Sequence, residues 1–268
     1  MADQNSFRII PPVVEPIPFI LSIPHCGTSF PDELKSSYKK EIIENPDDTD
    51  WDLDLLYDFA PKLGITTIVA NYSRWVIDLN RDPENKSLYS DGRIITSLCP
   101  TTNFLGENIY HAGKEPIKEN IENRLLKYYW PYHNKIDDLI DDFKTKFKTV
   151  FFWDAHSIRR HVPTINPQPF PDLIIGDNDG KTAHSTFVKT CFDELSKSNL
   201  NLTHNTPFKG GNLTRSKGNP TNNIHAIQLE MSKDLYMNKK ETIYDYEKAK
   251  SMKSILKSTF EELIPFLI

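Results

Sequence analysis

Nowhere does this sequence run apolar for the roughly 18 residues that a membrane helix needs, and its amino-terminal stretch has no basic region leading into an apolar one. It reads as an unprocessed, cytoplasmic chain with no membrane partner. Cysteine is scarce too. Cys26, Cys99 and Cys191 are odd in number and far apart, which excludes a disulfide framework and the paired spacing of a zinc module, and fits a reducing compartment. An excess of positive charge is also missing. The formal net charge of -5 argues against nucleic-acid binding through a general basic field. Arginine is sparse beside lysine, yet Arg74, Arg81, Arg159, Arg160 and Arg215 all fall in the unusual segments described below. Planar guanidinium groups grip carboxylates better than ammonium groups do, so this bias points to a carboxylate ligand. Several short signatures are absent as well: the G-x-S-x-G elbow of serine hydrolases, the GK[ST] phosphate loop, and the short zinc motif H-E-x-x-H.

What the chain does have suits one globular domain over residues 1–268, with 38% hydrophobic residues to build its core. Residues 1–17, with Pro11, Pro12 and Pro16, read as an extended lead-in without periodicity. Short apolar runs at Phe19 to Ile23, Ile65 to Ala70, Thr149 to Trp153 and Ala226 to Leu229 read as buried strands. Helical periodicity predicts helices over 53–63, 116–148, 183–197 and 241–262, with Pro131 kinking or splitting the second. A further short strand and turn lie at 172–180. The segments 83–113 and 209–223 read as loops, the latter rich in Gly and Asn.

Each of the four apolar runs ends in chemistry: His25, Arg74, His156 and Glu230. In a largely parallel sheet these groups converge on one edge, because ligands bind outside the carboxyl ends of the strands. Two histidines and one carboxylate with an open fourth position suit a catalytic zinc. Asp50 is the preferred carboxylate because it stands where the helix after the first strand begins; Asp47, Asp48 and Asp52 compete with it. Glu230 reads either as a fourth ligand or as a general base, and an enzyme needs the second. Ser157 beside His156 and Cys26 beside His25 are poor nucleophile pairs, since adjacent strand residues point to opposite faces. Asp154 reads as support behind His156.

The segments IPHCGTSFPDEL, DTDWDLDLLYDFA, SRWVIDLNR, LCPT, PYHNKIDDLI, WDAHSIRR, PDLIIGDNDG, FKGGNLTR and HAIQLEMSKDLYM, spread over roughly residues 20–240, strongly resemble the N-formylglutamate amidohydrolases. The resemblance implies hydrolysis of N-formyl-L-glutamate to glutamate and formate, a step of histidine breakdown. It also implies a zinc-carboxypeptidase-like α/β fold, a three-layer sandwich with a mixed, mostly parallel sheet flanked by helices. Asp154, His156 and Ser157 match the family strand that supplies a zinc histidine, and Glu230 matches its late catalytic glutamate. Asn80 and Arg81 resemble an Asn-Arg pair that grips a substrate carboxylate. His25 departs from the carboxypeptidases in lacking a nearby glutamate.

The expectation is therefore one Zn2+ per chain on His25, Asp50 and His156, with Glu230 as base and then acid and Arg74 stabilising the oxyanion. Arg81, Arg159 and Arg215 would hold a small dicarboxylate substrate, with His225 in contact with it or merely packed. The alternatives are a zinc hydrolase of another N-acyl amino acid and a non-catalytic dicarboxylate-binding protein. The sequence carries no sign of the oligomeric state.

Overall fold

Short runs buried on both faces, separated by amphipathic helices, fold this chain into three layers: helices, sheet, helices. The computed structural model describes residues 5–86 and 96–268, so part of the segment read as loop, 87–95, lies outside the described residues. Among the described residues one seven-stranded sheet runs in the order β1-β3-β2-β4-β7-β5-β6. Its strands are β1 (Phe7–Ile10), β2 (Phe19–Ile23), β3 (Thr66–Ala70), β4 (Val150–Ile158), β5 (Leu173–Gly176), β6 (Leu202–His204) and β7 (Ile224–Ser232). Strands β3, β2, β4 and β7 are mutually parallel, whereas β1 pairs antiparallel with β3 and β5 antiparallel with β7. The sheet is thus mixed and mainly parallel, as expected. The lead-in differs from expectation, because Phe7 to Ile10 pair residue for residue with Ala70 to Thr67 as an edge strand.

The helices are α1 (Asp32–Lys35), α2 (Lys40–Ile43), α3 (Leu53–Leu56), α4 (Lys118–Arg124), α5 (Trp130–Lys144), α6 (Ser185–Leu195), α7 (Asn212–Lys217) and α8 (Tyr246–Leu263). A single π turn, Leu125–Tyr129, joins α4 to α5. Pro131 explains it: proline cannot donate to the carbonyl four residues back, and the wider turn accommodates the missing bond without ending the helix. Helix α7 lies where a loop was expected; tertiary contacts at its first turn, described below, outweigh its low propensity.

Strand parity sorts the core. On one face Leu21, Trp153, Leu229 and their alternate neighbours pack against α3, α6 and α8. On the other, Ile20, Phe152 and Ala226 pack against Tyr132, Ile136 and Ile140 of α5 and Leu213 of α7. Burying each such large side chain contributes about 1.5–3 kcal/mol. The second face becomes polar toward the carboxyl ends of β4 and β7, where Asp154 and His156 lie opposite Gln228 and Glu230.

Candidate metal centre and active site

His156 belongs to β4 itself, while His25 follows β2 by two residues. Asp50 reaches them from the turn before α3, its backbone N–H donating to the His25 carbonyl at 3.0 Å. Asp50 Oδ2 lies 3.2 Å from His156 Nδ1 and 3.8 Å from His25 Nδ1. One ligand atom from each of the three residues falls within 4.8 Å of the others, and all three residues are buried. Two nitrogens and an oxygen about 2.0–2.1 Å from a tetrahedral zinc stand about 3.3 Å apart, so small side-chain adjustments suffice to close this set around one ion. A further observation fits a cation: His25 Nδ1 is buried and has no hydrogen-bond partner. Of the competing aspartates, Asp52 lies outside this cluster and the other two are engaged elsewhere. Asp47 accepts from Arg159, and Asp48 accepts from Trp75 Nε1 and the Phe104 N–H.

Behind each histidine stands a carboxylate. His25 Nε2 is 2.8 Å from Asp78 Oδ1, which fixes the proton there and turns the Nδ1 lone pair toward Asp50 and His156. His156 has two tautomers available. One donates Nδ1–H to Asp50 and accepts at Nε2 from Asn80 Nδ2 at 2.8 Å. The other holds Nε2–H toward Asp154 Oδ1, 3.1 Å away and otherwise unpartnered, and frees Nδ1 for a cation. Burial, with Arg74 adding to it, pulls His25 down to about 4 and keeps it neutral, as a ligand must be. Burial also opposes a charge on His156, but Asp154 and Asp50 outweigh it and raise this group well above the usual histidine value. The cage of carboxylates therefore favours positive charge at this spot.

Glu230 is partly exposed and lies directly across the ladder from His156. Loss of hydration raises its carboxyl to about 7, against the pull of His156. Arg74 is buried; its Nη2 donates to Asp78 Oδ2 at 2.6 Å, and its guanidinium lies 4.8 Å from the Phe104 ring centre. Arg81 bonds the Thr96 carbonyl and hydroxyl and the Asn80 carbonyl, while Arg215 Nε donates to the Gly210 carbonyl.

Three expected substrate contacts are placed differently. His225 sits at the amino end of β7, opposite Phe151, and stacks on Phe187 with ring centres 4.3 Å apart. Five residues of strand put it roughly 16 Å from Glu230, and the odd offset turns it to the other face, so it packs rather than meeting a ligand at the site. Arg159 is a structural clamp, with Nε bonded to both oxygens of Asp47 and Nη1 to the Lys240 carbonyl and Glu241. Asn80 is buried and faces inward: Nδ2 is shared between His156 and Asp154, and Oδ1 accepts from the Leu213 N–H at 2.7 Å. It orients the centre from behind instead of gripping a carboxylate. Ser157, as parity requires, points away from His156 and bonds the Tyr236 hydroxyl.

Asp78 is not among the site residues expected from the sequence. It is fully buried and joins His25, Arg74 and the Asn80 N–H. The signal was present: a carboxylate four residues after one arginine and three before another, flanked by Ile77 and Leu79. Thr214, donating to Asp154 Oδ2 at 2.9 Å, had no comparable signal.

Comparison with known proteins bears on the whole chain. Residues 17–237 match the family model described as N-formylglutamate amidohydrolase. An N-formylglutamate deformylase of Pseudomonas putida is 34% identical over 253 residues, 92% of this chain and 92% of that one. The Pseudomonas aeruginosa deformylase is likewise 34% identical, over 92% of this chain and 93% of its own. Among solved structures, an N-formylglutamate amidohydrolase from Ralstonia eutropha JMP134 superposes with a TM-score of 0.79 at 22% identity, covering 98% of both chains.

Proposed function

The chain belongs to the N-formylglutamate amidohydrolase family, and with that membership as premise we propose that it is a zinc-dependent deformylase acting on N-formyl-L-glutamate. The products are L-glutamate and formate, and the reaction serves histidine breakdown in the cytoplasm. One zinc per chain would be held by His25, Asp50 and His156. When bound there, zinc polarises the formyl oxygen and acidifies water.

The chain's own groups supply the rest. Glu230 takes a proton from the attacking water and returns it to the leaving amino nitrogen, so one carboxylate serves as base and then acid. Arg74, fixed by Asp78, donates to the oxygen on which negative charge develops. Arg81 and Arg215 pair with the two substrate carboxylates, and two anchored ends hold the formamide over the centre. Asp78 and Asp154 keep the two imidazoles in the tautomers a metal requires.

One observation carries this reading furthest: Glu230 lies directly opposite His156 in the parallel ladder, beside the only cluster of metal-ligating type found among the described residues. The decisive experiment measures formate release from N-formyl-L-glutamate by the zinc-loaded, the chelated and the zinc-restored chain. Turnover should vanish on chelation and return with one equivalent of zinc. Tight glutamate binding without turnover at full zinc occupancy would overturn the proposal in favour of a binding protein. Faster release of acetate from N-acetylglutamate would move the acyl preference.

A further inference from the structure

Glu230 does not stand alone on its strand. Two residues earlier on the same face of β7, buried Gln228 accepts from the Gly211 N–H through Oε1 at 2.7 Å. A backbone N–H requires an acceptor, so this bond fixes which way the amide points. Nε2 is thereby turned toward Glu230 and lies 3.2 Å from its Oε2. From these bonds we infer that Gln228 is a positioning residue: it holds one oxygen of the Glu230 carboxylate and couples it to the first turn of α7. The inference rests on the reading of Glu230 as the proton-transferring group.

The reason lies in how α7 is seated. A Cβ on Gly211 would stand within 2.5 Å of the Asn80 amide, so only glycine lets the backbone descend this far onto the sheet. The next residues are fastened too, Leu213 N–H to Asn80 Oδ1 at 2.7 Å and the Thr214 hydroxyl to Asp154 Oδ2 at 2.9 Å. Arg215, proposed above to hold a substrate carboxylate, follows on the same short helix. Gln228 is thus a direct side-chain bridge from that helix to the carboxylate. A terminal carboxylate rotates about a broad, soft torsion. Tying down Oε2 restricts that rotation and leaves Oε1 to meet the proton, which keeps the base aligned once the substrate is gripped.

The test is a double-mutant cycle on the zinc-loaded full chain, with N-formyl-L-glutamate as substrate. Gln228→Met, close in volume but without donor or acceptor, should lower kcat by roughly 10- to 100-fold while KM moves less than about 3-fold. In a Glu230→Ala background the same substitution should change the residual kcat by less than about 2-fold, because a residue acting through Glu230 has nothing left to position. Equal losses in both backgrounds, or wild-type kcat for Gln228→Met, would overturn the inference. Should the methionine variant fail to fold, Gln228→Asn keeps an amide but is one methylene too short to reach both Gly211 and Glu230, and the same cycle is read with it. Wild-type protein separates the two claims: no formate release by the wild type defeats the functional reading, whereas wild-type turnover with unaffected Gln228 variants defeats only this one.

Discussion

At Glu230 two effects meet in opposition. Loss of hydration raises the carboxyl to about 7, while the neighbouring positive charge of His156 draws it down. A carboxyl with little hydration beside charged neighbours is placed to exchange a proton with an attacking water. Glu230→Gln should keep its metal and lose kcat by about 10²- to 10⁴-fold, measured by metal content alongside formate release. Near wild-type turnover would remove Glu230 from proton transfer. Asp50 makes a different claim, because it alone among the neighbouring aspartates reaches both histidines. Asp50→Ala should be isolated without stoichiometric metal, whereas Asp52→Ala, whose carboxylate is outside the cluster, should retain one equivalent. Equal metal content in the two variants would exclude Asp50 as a ligand. For Asp154, which supports His156 from behind, replacement by alanine should weaken zinc binding or activity by about 10- to 100-fold, with zinc titration as the measurement. Unchanged affinity and turnover would leave it no role.

The element that matters most has no regular structure. Residues 73–81 carry Arg74, Asp78, Asn80 and Arg81, and side chains from elsewhere hold their carbonyls in place. Tyr38 donates to the Trp75 carbonyl, Arg124 to that of Val76, His133 to that of Leu79 and Tyr129 to that of Arg81. The last three come from the helix broken by the π turn, which adds one residue to the register between Arg124 and Tyr129. Tyr129→Phe should therefore cost about 1 kcal/mol of stability and raise KM more than it lowers kcat, since Arg81 is the end that loosens. Urea unfolding and steady-state kinetics would check both; a loss confined to kcat would contradict the assignment of Arg81 to substrate binding. The strand ends were legible in the sequence because a buried parallel strand is a short apolar run that stops abruptly, and His25, His156 and Glu230 each mark such a stop. Parity, applied to β7, would also have separated His225 from Glu230, five residues apart. Helix α7 was not legible: Gly210, Gly211 and Asn212 favour a loop, and its first turn exists only because Gln228, Asn80 and Asp154 meet it from distant parts of the chain. The partners of Arg159 were hidden for the same reason, since Asp47 lies more than a hundred residues away.

Across the whole molecule, the site imposes a cost on acid stability that can be isolated away from the metal. His133, on α5, is buried against Tyr129 and donates to the Leu79 carbonyl, so it stiffens the segment beneath the site without touching a ligand residue. Burial, with Lys217 adding to it, lowers its pKa to about 3. The unfolded chain titrates the same group near 6.5. Between these values the unfolded state binds a proton that the folded state refuses, so stability that is fully present above about 6.5 drains away as the pH falls toward 3. One such proton is worth at most about 1.4 kcal/mol per pH unit. His156, raised by its carboxylates, works in the opposite sense, and this is why the total slope is less informative than a difference between variants. His133→Gln can retain a donor for Leu79 but cannot titrate. Urea unfolding of wild type and variant, both chelated so that metal release does not contribute, should give similar stabilities at pH 7.5 once the substitution's fixed offset is removed. Toward pH 4.5 the wild type should lose stability faster, by up to about one proton's worth of slope. Parallel curves over that range would mean that the folded chain protonates His133 as readily as the unfolded one does, and that the floor beneath residues 73–81 is open to solvent.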